Sequence, residues 1–330
     1  MAERVVGVIG SNCFTGSHIV DALLDEPENR VIAISRSPEY APLFLPYKRH
    51  ARANLAVHQI DLVRQPDALA RLLDETKPSV VINVAALSEV ALSHDRPVEY
   101  FETNTVGVVR LCDHLRRCGY VERYVHISSA EIFGSCHGAV DEETLFNPST
   151  PYAASKAAAD IYVNTLMRHF GFPATIIRST NVYGPYQQLF KIVPRTIIYL
   201  KLGKTIELHG GGRAVKSFIH IRDVVDGLML AMARGTNGTY HFTEPSNDTV
   251  ADVVRLVCEL TGHEVGRAAR TVRERLGQDA RYWLDCSKAE RELGWKPRVR
   301  FVDGVREVID WIETNWDEVR LQPLAYQHRA

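Results

Sequence analysis

The chain has 330 residues, with 39 Lys plus Arg against 40 Asp plus Glu, 45% hydrophobic and 24% charged residues, and a net charge of -1. This is the composition of an ordinary soluble globular protein, and it supplies no basic footprint for a nucleic-acid duplex or an anionic membrane. No apolar run approaches the roughly 18 residues of a membrane span, no secretory leader pattern opens the chain, and no His/Cys/carboxylate cluster has zinc spacing. The six cysteines, Cys13, Cys112, Cys118, Cys136, Cys258 and Cys286, form no CxxC pair. A chain of this size needs no disulfide staples, so a reduced, cytoplasmic protein is expected.

In chain order, the first half alternates short apolar runs with helical stretches. Strands are expected at Val5–Ile9, Arg30–Ser35, Ala56–Ile60, Ser79–Ala85, Arg123–Ser128 and Ala174–Arg178. They lack polar alternation, as strands buried on both faces do. Helices are expected at Gly16–Leu24, Pro66–Glu75, Val98–Arg117 and Tyr152–Phe170. Such alternation means βαβ units around a parallel sheet. After Asn181 the regularity weakens. Gly184-Pro185 and Gly210-Gly211-Gly212 mark loops. Ile192–Leu202, Val250–Thr261, Ala289–Leu293 and Phe301–Asn315 read as helices. The simplest organisation is a doubly wound α/β core with a smaller, interleaved lobe.

The first strand runs into Gly10-Ser11-Asn12-Cys13-Phe14-Thr15-Gly16 and then a helix. Gly10 permits a tight turn, Gly16 permits close helix–strand packing, and the helix N-terminus offers amides to a pyrophosphate. Cys13 stands at the middle glycine position of the pattern; its other reading is plain packing. An acid after the second strand would bind the ribose hydroxyl of NAD. Here the chain reads Ser35-Arg36-Ser37, and Arg36 suits a 2′-phosphate, which favours NADP over NAD; the alternative is a solvated loop arginine. Asp61 and Leu62 follow the third strand. Asp61 is placed to touch adenine, or to cap a helix.

Tyr152 and Lys156 form a YxxxK pair on one helix face, about 5–6 Å apart. An ammonium there, with a positive nicotinamide, favours a tyrosinate below the usual pKa of about 10. Tyr152 then becomes a proton shuttle for an alcohol under oxidation. The preceding strand ends Ser128-Ser129-Ala130-Glu131-Ile132-Phe133-Gly134, where Ser129 can hold the same substrate oxygen.

The loop 10–16, the strand end 128–134, Tyr152-Ala153-Ala154-Ser155-Lys156 and Asn181-Val182-Tyr183-Gly184-Pro185 together resemble an extended short-chain dehydrogenase/reductase. More narrowly, they resemble the nucleotide-sugar epimerase/dehydratase family. Gly277–Tyr282 and Ser287-Lys288 through Leu293–Pro297 extend the likeness over nearly the whole chain. The resemblance implies a Rossmann-type, NAD(P)-binding domain over residues 1–180 with a return segment near 218–245. A nucleotide-sugar-binding lobe would then occupy residues 181–330. It implies a cofactor bed of Gly10, Asn12, Cys13, Phe14, Thr15, Gly16, Arg36, Asp61, Leu62, Ala85 and Ala86. Asn104 would stand behind it; a helix-internal hydrogen bond is its other reading. It implies a homodimer through Val98–Arg117 and Tyr152–Phe170, whose apolar faces also read as core. The shared chemistry oxidises the sugar at C4 and exploits the 4-keto group.

Glu131 separates the outcomes. Simple 4-epimerases of the family carry a small residue there, whereas 4,6-dehydratases and UDP-glucuronate decarboxylases carry Glu. Two residues apart on an extended chain, Ser129 and Glu131 point to one side, which places a carboxylate where a C5 base is wanted. A loop salt bridge is the alternative. dTDP-glucose 4,6-dehydratases place Asp immediately before this Glu as the C6 acid; here Ala130 can donate nothing. Glu131 or water must then act as both base and acid. Substrate contacts implied are Ser88, Glu89, Ser129, Asn181, Lys191, Val193, Arg195, Lys216 and Arg281. Lys191, Arg195, Lys216 and Arg281 are the cations for a diphosphate, or else solvated surface charges. Lys216 replaces the family's usual Arg and offers a point charge instead of a fork. The reading is an NDP-sugar 4,6-dehydratase-like enzyme; the rivals are a 4-epimerase, a decarboxylase and a catalytically silent NAD(P)-sensing regulator.

Overall fold

The computed structural model describes residues 3–50, 53–234, 237–246, 248–274 and 279–328. Gly277 and Gln278 of the expected motif lie outside these. The first half runs β1 (Arg4–Ile9), α1 (Phe14–Leu24), β2 (Asn29–Ser35), β3 (Leu55–Gln59), α2 (Pro66–Thr76), β4 (Val80–Asn83), α3 (Val90–Asp95), α4 (Pro97–Phe101), α5 (Gly107–Leu115), β5 (Arg123–Ile127), α6 (Pro151–Phe170) and β6 (Ala174–Ser179). The second half runs β7 (Asn181–Tyr183), α7 (Ile192–Lys201), β8 (Ile206–His209), β9 (Phe218–His220), α8 (Ile221–Ala233), β10 (Gly238–Phe242), α9 (Val250–Thr261), α10 (Val265–Ala268), β11 (Ala269–Val272), α11 (Ser287–Leu293), α12 (Phe301–Thr314) and α13 (Trp316–Val319).

Seven strands form one parallel sheet in the order β10-β6-β5-β4-β1-β2-β3. β1 shows why it is buried twice over. Val6 and Val8 enter a core with Ile19, Val20 and Leu23 of α1 and Val224 and Leu228 of α8. Ile9 enters the opposite core with α2, α5 and α6. Alternate residues thus face two layers of helices, the doubly wound arrangement expected from the sequence. The strand order reverses direction between β1 and β4, which opens a crevice at their carboxyl ends. A third core, built from α7, α9, α12 and β8, forms the second lobe. The chain crosses between the lobes repeatedly, since β10 returns to the central sheet beside β6. Among the described residues no helix is long and apolar enough to cross a membrane.

Two elements differ from the sequence expectation. The strand expected to continue to Ala85 stops at Asn83. The N–H groups of Val84 and Ala85 both turn onto the carbonyl of Ile9, at 2.8 and 3.0 Å. The single helix expected over Val98–Arg117 is instead α4 and α5 joined by a π-helical turn, Glu102–Val106. Such turns re-aim side chains and cluster at functional sites. This one aims Asn104 away from its own helix. Asn104 accepts from the Leu87 N–H at 2.8 Å and donates to the Leu87 carbonyl at 2.9 Å and to Ser155 Oγ of α6 at 3.0 Å.

Asn104 therefore locks the loop after β4 against α6. Asn104→Ala should destabilise the protein by about 1–3 kcal/mol for each buried group left unpaired, read as a lower urea midpoint at constant slope.

Candidate active site

Local sequence builds the site at the carboxyl edge of the sheet. Gly10 takes φ +90°, and a Cβ there would stand 2.6 Å from the Ala85 nitrogen; one on Gly16 would stand 2.2 Å from the Gly10 carbonyl oxygen. Only glycine permits this approach. Cys13 caps α1, its sulfur accepting from the Gly16 N–H at 3.2 Å. Burial pushes its thiol up to about 11, so it stays uncharged beside a site meant for an anion. Asn12 donates to the carbonyls of Ser37 and Pro38 at 2.9 and 2.8 Å, fixing the turn after β2. Its own Oδ1 is buried with no hydrogen-bond partner among the described residues.

A cleft over this loop is lined by Gly10, Asn12, Cys13, Arg36, Asp61, Leu62, Ala85, Ala86, Tyr40 and Glu99, among others. Its glycine cradle, apolar floor and unpartnered Asn12 oxygen fit a dinucleotide. Asp61 does not cap α2, whose N-cap position is taken by Gln65; it holds the turn before that helix. Its Oδ1 accepts from the Val63 and Arg64 amides at 2.7 and 2.9 Å while the residue lines the cleft. Phe14 and Thr15 open α1 beside it.

Tyr152 and Lys156 come from the start of α6. Thr150 caps that helix, its hydroxyl accepting from the Ala153 N–H at 3.1 Å, and Pro151 takes the first helical position. Tyr152 thus sits in the first turn and Lys156 one turn on, both buried. Lys156 Nζ donates to the Ile127 carbonyl at 2.7 Å and lies 3.5 Å from His126 Nε2. Burial lowers its pKa to about 8, against the opposing charge of Asp160. Asp160 is itself paired with the buried Arg178 at 2.9 Å.

The expected lowering of Tyr152 rests on a bound nicotinamide as well as on Lys156, and the chain's own groups act the other way. Burial, then the charge of Glu131, holds the phenol above its ordinary value, against a hydrogen bond from Ser129. Lys156 alone does not reverse this, so any lowering must come with a positively charged ligand.

Ser129 and Glu131 do converge, though not along an extended strand. Ala130–Phe133 form a 3-10 turn, with the Glu131 N–H donating to Ser129 Oγ at 3.2 Å. Burial raises Glu131 to about 7, opposed by Lys216 and reinforced by Asp279. One carboxyl oxygen, Oε2, is buried without a hydrogen-bond partner among the described residues. Ala130 packs into a small apolar cluster with Ile132, Phe133 and Leu284.

The second lobe supplies cations. Lys216 is buried, donates to the Asp279 carbonyl at 3.2 Å and sits 3.7 Å above the Tyr282 ring centre. Burial lowers it to about 8. Lys191 pairs with Glu89 at 3.3 Å, a bridge from α7 to the loop after β4. Arg281 stacks 3.8 Å above the Trp283 ring, Arg195 is half-buried on α7, and Ser88 is exposed. Val193 is 1% exposed in the second core, leaving only its backbone for a ligand. Asn181 donates to the Ser217 carbonyl at 3.1 Å, tying β7 to β9.

Tyr282 and Asp279 carry no site role in the sequence reading, yet both face Glu131. Tyr282 donates to Asp279 at 3.2 Å, and Ser149 and Ser135 hold the Asp279 carboxylate at 2.9 and 3.1 Å. Their signal was the Asp279–Tyr282 stretch, whose spacing alone assigns no contact.

A family model described as GDP-mannose 4,6 dehydratase matches residues 7–308. The chain belongs to this family. It is 33% identical over 329 residues to a dTDP-glucose 4,6-dehydratase of Streptomyces antibioticus, covering 96% of this chain and 95% of the relative. The solved dTDP-glucose 4,6-dehydratase of Streptomyces venezuelae, with NAD bound, superposes with a TM-score of 0.88 at 32% identity, over 96% of this chain and 98% of that one. A UDP-glucose 4-epimerase of Thermotoga maritima shares the fold at a TM-score of 0.86 and 24% identity, over 95% of this chain and 100% of that one. The same fold thus carries a named dTDP-glucose 4,6-dehydratase and a named UDP-glucose 4-epimerase.

Proposed function

We propose that this chain is an NDP-sugar 4,6-dehydratase. The observation that carries the reading is the buried Glu131 carboxyl, with a free oxygen, beside Ser129 and Tyr152. A bound nicotinamide dinucleotide would take up the C4 hydride and give it back at C6. Ser129 holds the C4 oxygen and Tyr152 takes its proton, with Lys156 offsetting the phenolate charge. The resulting 4-keto group acidifies C5–H, and Glu131 removes that proton. Since Ala130 has no acid to offer, Glu131 hands the proton to the departing C6 hydroxyl, which leaves as water; as hydride returns to C6, C5 takes up a proton from solvent, which balances the C4 proton passed out through Tyr152. A carboxyl with pKa about 7 suits both directions of transfer. Lys191, Arg195, Lys216 and Arg281 would hold the diphosphate, in a reducing, cytoplasmic setting that matches six free thiols.

The second reading, a 4-epimerase, has Ala130 in its favour and makes Glu131 a bystander. Glu131→Gln separates the two. Elimination should fall about 100-fold or more while C4 oxidation, followed as reduced-nicotinamide absorbance, persists; epimerisation would survive intact. As the base must be ionised, elimination in the native chain should rise with pH through about 7 and lose that limb in the variant. Full turnover by Glu131→Gln, or no 4-keto-6-deoxy product from any NDP-hexose, would end the dehydratase reading.

Arg36 lines the cleft where an acid would select NAD. We propose that NADP is accepted alongside the NAD found in the Streptomyces venezuelae enzyme. Titration should give NADP a dissociation constant no weaker than that of NAD, with Arg36→Ala weakening NADP alone.

A homodimer is proposed through α4 and α6. Val98 is 68% and Ile161 57% exposed on these two helices, a pair of apolar residues that a monomer leaves in water. Sedimentation should show a dimer, shifted toward monomer by Ile161→Lys.

A further inference from the structure

The segment after α13 has no part in the site described so far. From Gln322 to His328 its burial alternates: Gln322, Leu324, Tyr326 and His328 are half-buried, and Pro323, Ala325 and Gln327 are exposed. A period of two marks an extended chain lying along a surface. Each inward residue that reaches past the lobe has a partner. Leu324 packs against the core of the second lobe. The Tyr326 ring meets Phe190 edge-on at 5.3 Å, next to the Lys191 proposed to bind phosphate. Tyr326 Oη lies 3.3 Å from His328 Nδ1, and His328 Nε2 lies 3.0 Å from Glu99 Oε2.

Glu99 belongs to α4 of the Rossmann core and lines the dinucleotide cleft. Its other oxygen is held by Arg96 at 3.0 Å, which leaves Oε2 directed to the segment. The charges that reach the Tyr326 phenol are Glu89, Arg36 and Arg96. Arg36 stands at the β2 end of the cleft and Glu89 beyond β4, so the phenol comes within electrostatic reach of both sides of the opening.

We propose that residues 324–328 form a further wall of the cofactor site. Leu324 anchors the strap in the second lobe and His328 fastens it to Glu99 of the first. Tyr326 is laid across the mouth of the cleft as a positioning residue that slows release of a bound dinucleotide. The strap must unfasten before the ligand leaves, so its contacts act on the dissociation rate. The proposal rests on the reading of this cleft as the dinucleotide site.

The test uses the full chain, a chain ended after Leu324, and the variants Tyr326→Ala, Tyr326→Phe and His328→Ala. The rate of NADH release is read as the loss of nicotinamide fluorescence on displacement by excess NAD. Ligand-free urea midpoints show that each form is folded. Release should be about tenfold faster in the shortened chain and in Tyr326→Ala, several-fold faster in His328→Ala, and within about twofold of the full chain in Tyr326→Phe, which keeps the ring on Phe190. Unchanged release from the shortened chain overturns the strap while leaving the cleft assignment intact. Slower release from it also overturns the strap, since the segment would then be a plug. Failure of the full chain to bind NADH or NADPH overturns both readings.

Discussion

The close contact of two backbones at the end of β1 carries the rest of the site. Gly10 lies against Ala85 and Gly16 against Gly10 so tightly that no Cβ fits at either glycine. The contact fixes the start of α1 relative to the loop after β4. That loop in turn is held by Asn104, which bonds both polar groups of Leu87 and reaches Ser155 on α6. The phosphate loop, the floor of the cleft and the helix bearing Tyr152 and Lys156 are thus one rigid unit. A displacement at any joint would move the proposed reacting groups relative to the cofactor, and small misplacements are costly in catalysis.

Desolvation sets the electrostatics of this unit. Tyr152, Lys156, Glu131 and Lys216 are all driven toward their neutral forms by burial. Partners oppose the shift in all four: Ser129 at Tyr152, Asp160 at Lys156, Lys216 at Glu131, and Glu131 with Asp279 at Lys216. Glu131, Lys156 and Lys216 come to lie near neutral pH, where proton transfer in either direction is easiest, while the Tyr152 phenol stays above its ordinary value. Asp160 contributes from below, since its pairing with Arg178 keeps a negative charge buried close to Lys156. The absence of a carboxyl at Ala130 is compatible with this arrangement. A single group near neutrality can serve as base and then acid, where a strongly ionised one could not.

The contacts between the two lobes are varied. Lys191 reaches Glu89, Lys216 and Tyr282 close on Glu131, and the His328 fastening crosses to Glu99. Each joins a side chain of the second lobe or its tail to the first, and Glu99 lines the cleft. A ligand spanning both sites can exchange for these pairings, which is how binding in one lobe would be felt in the other.

By itself the sequence determined the parallel sheet, the phosphate loop and the Tyr152–Lys156 helix. These depend on patterns that are local: apolar runs without alternation, glycines at a strand end, and Thr150-Pro151 ahead of a helical stretch. It also singled out Glu131 and the cationic set by resemblance. What only the tertiary structure decided depends on groups far apart in the chain. The π-helical turn arises because Asn104 is drawn to Leu87 and Ser155, a demand invisible to helical periodicity. The third face of the Glu131 pocket comes from Tyr282 and Asp279, more than 140 residues downstream. That the chain's own groups hold the Tyr152 phenol above its ordinary value was not legible in spacing, which records the neighbouring ammonium and omits burial. Sequence states which charges are present; only the packed chain states how much water is left around them, and at Tyr152 burial and the charge of Glu131 act in the same direction.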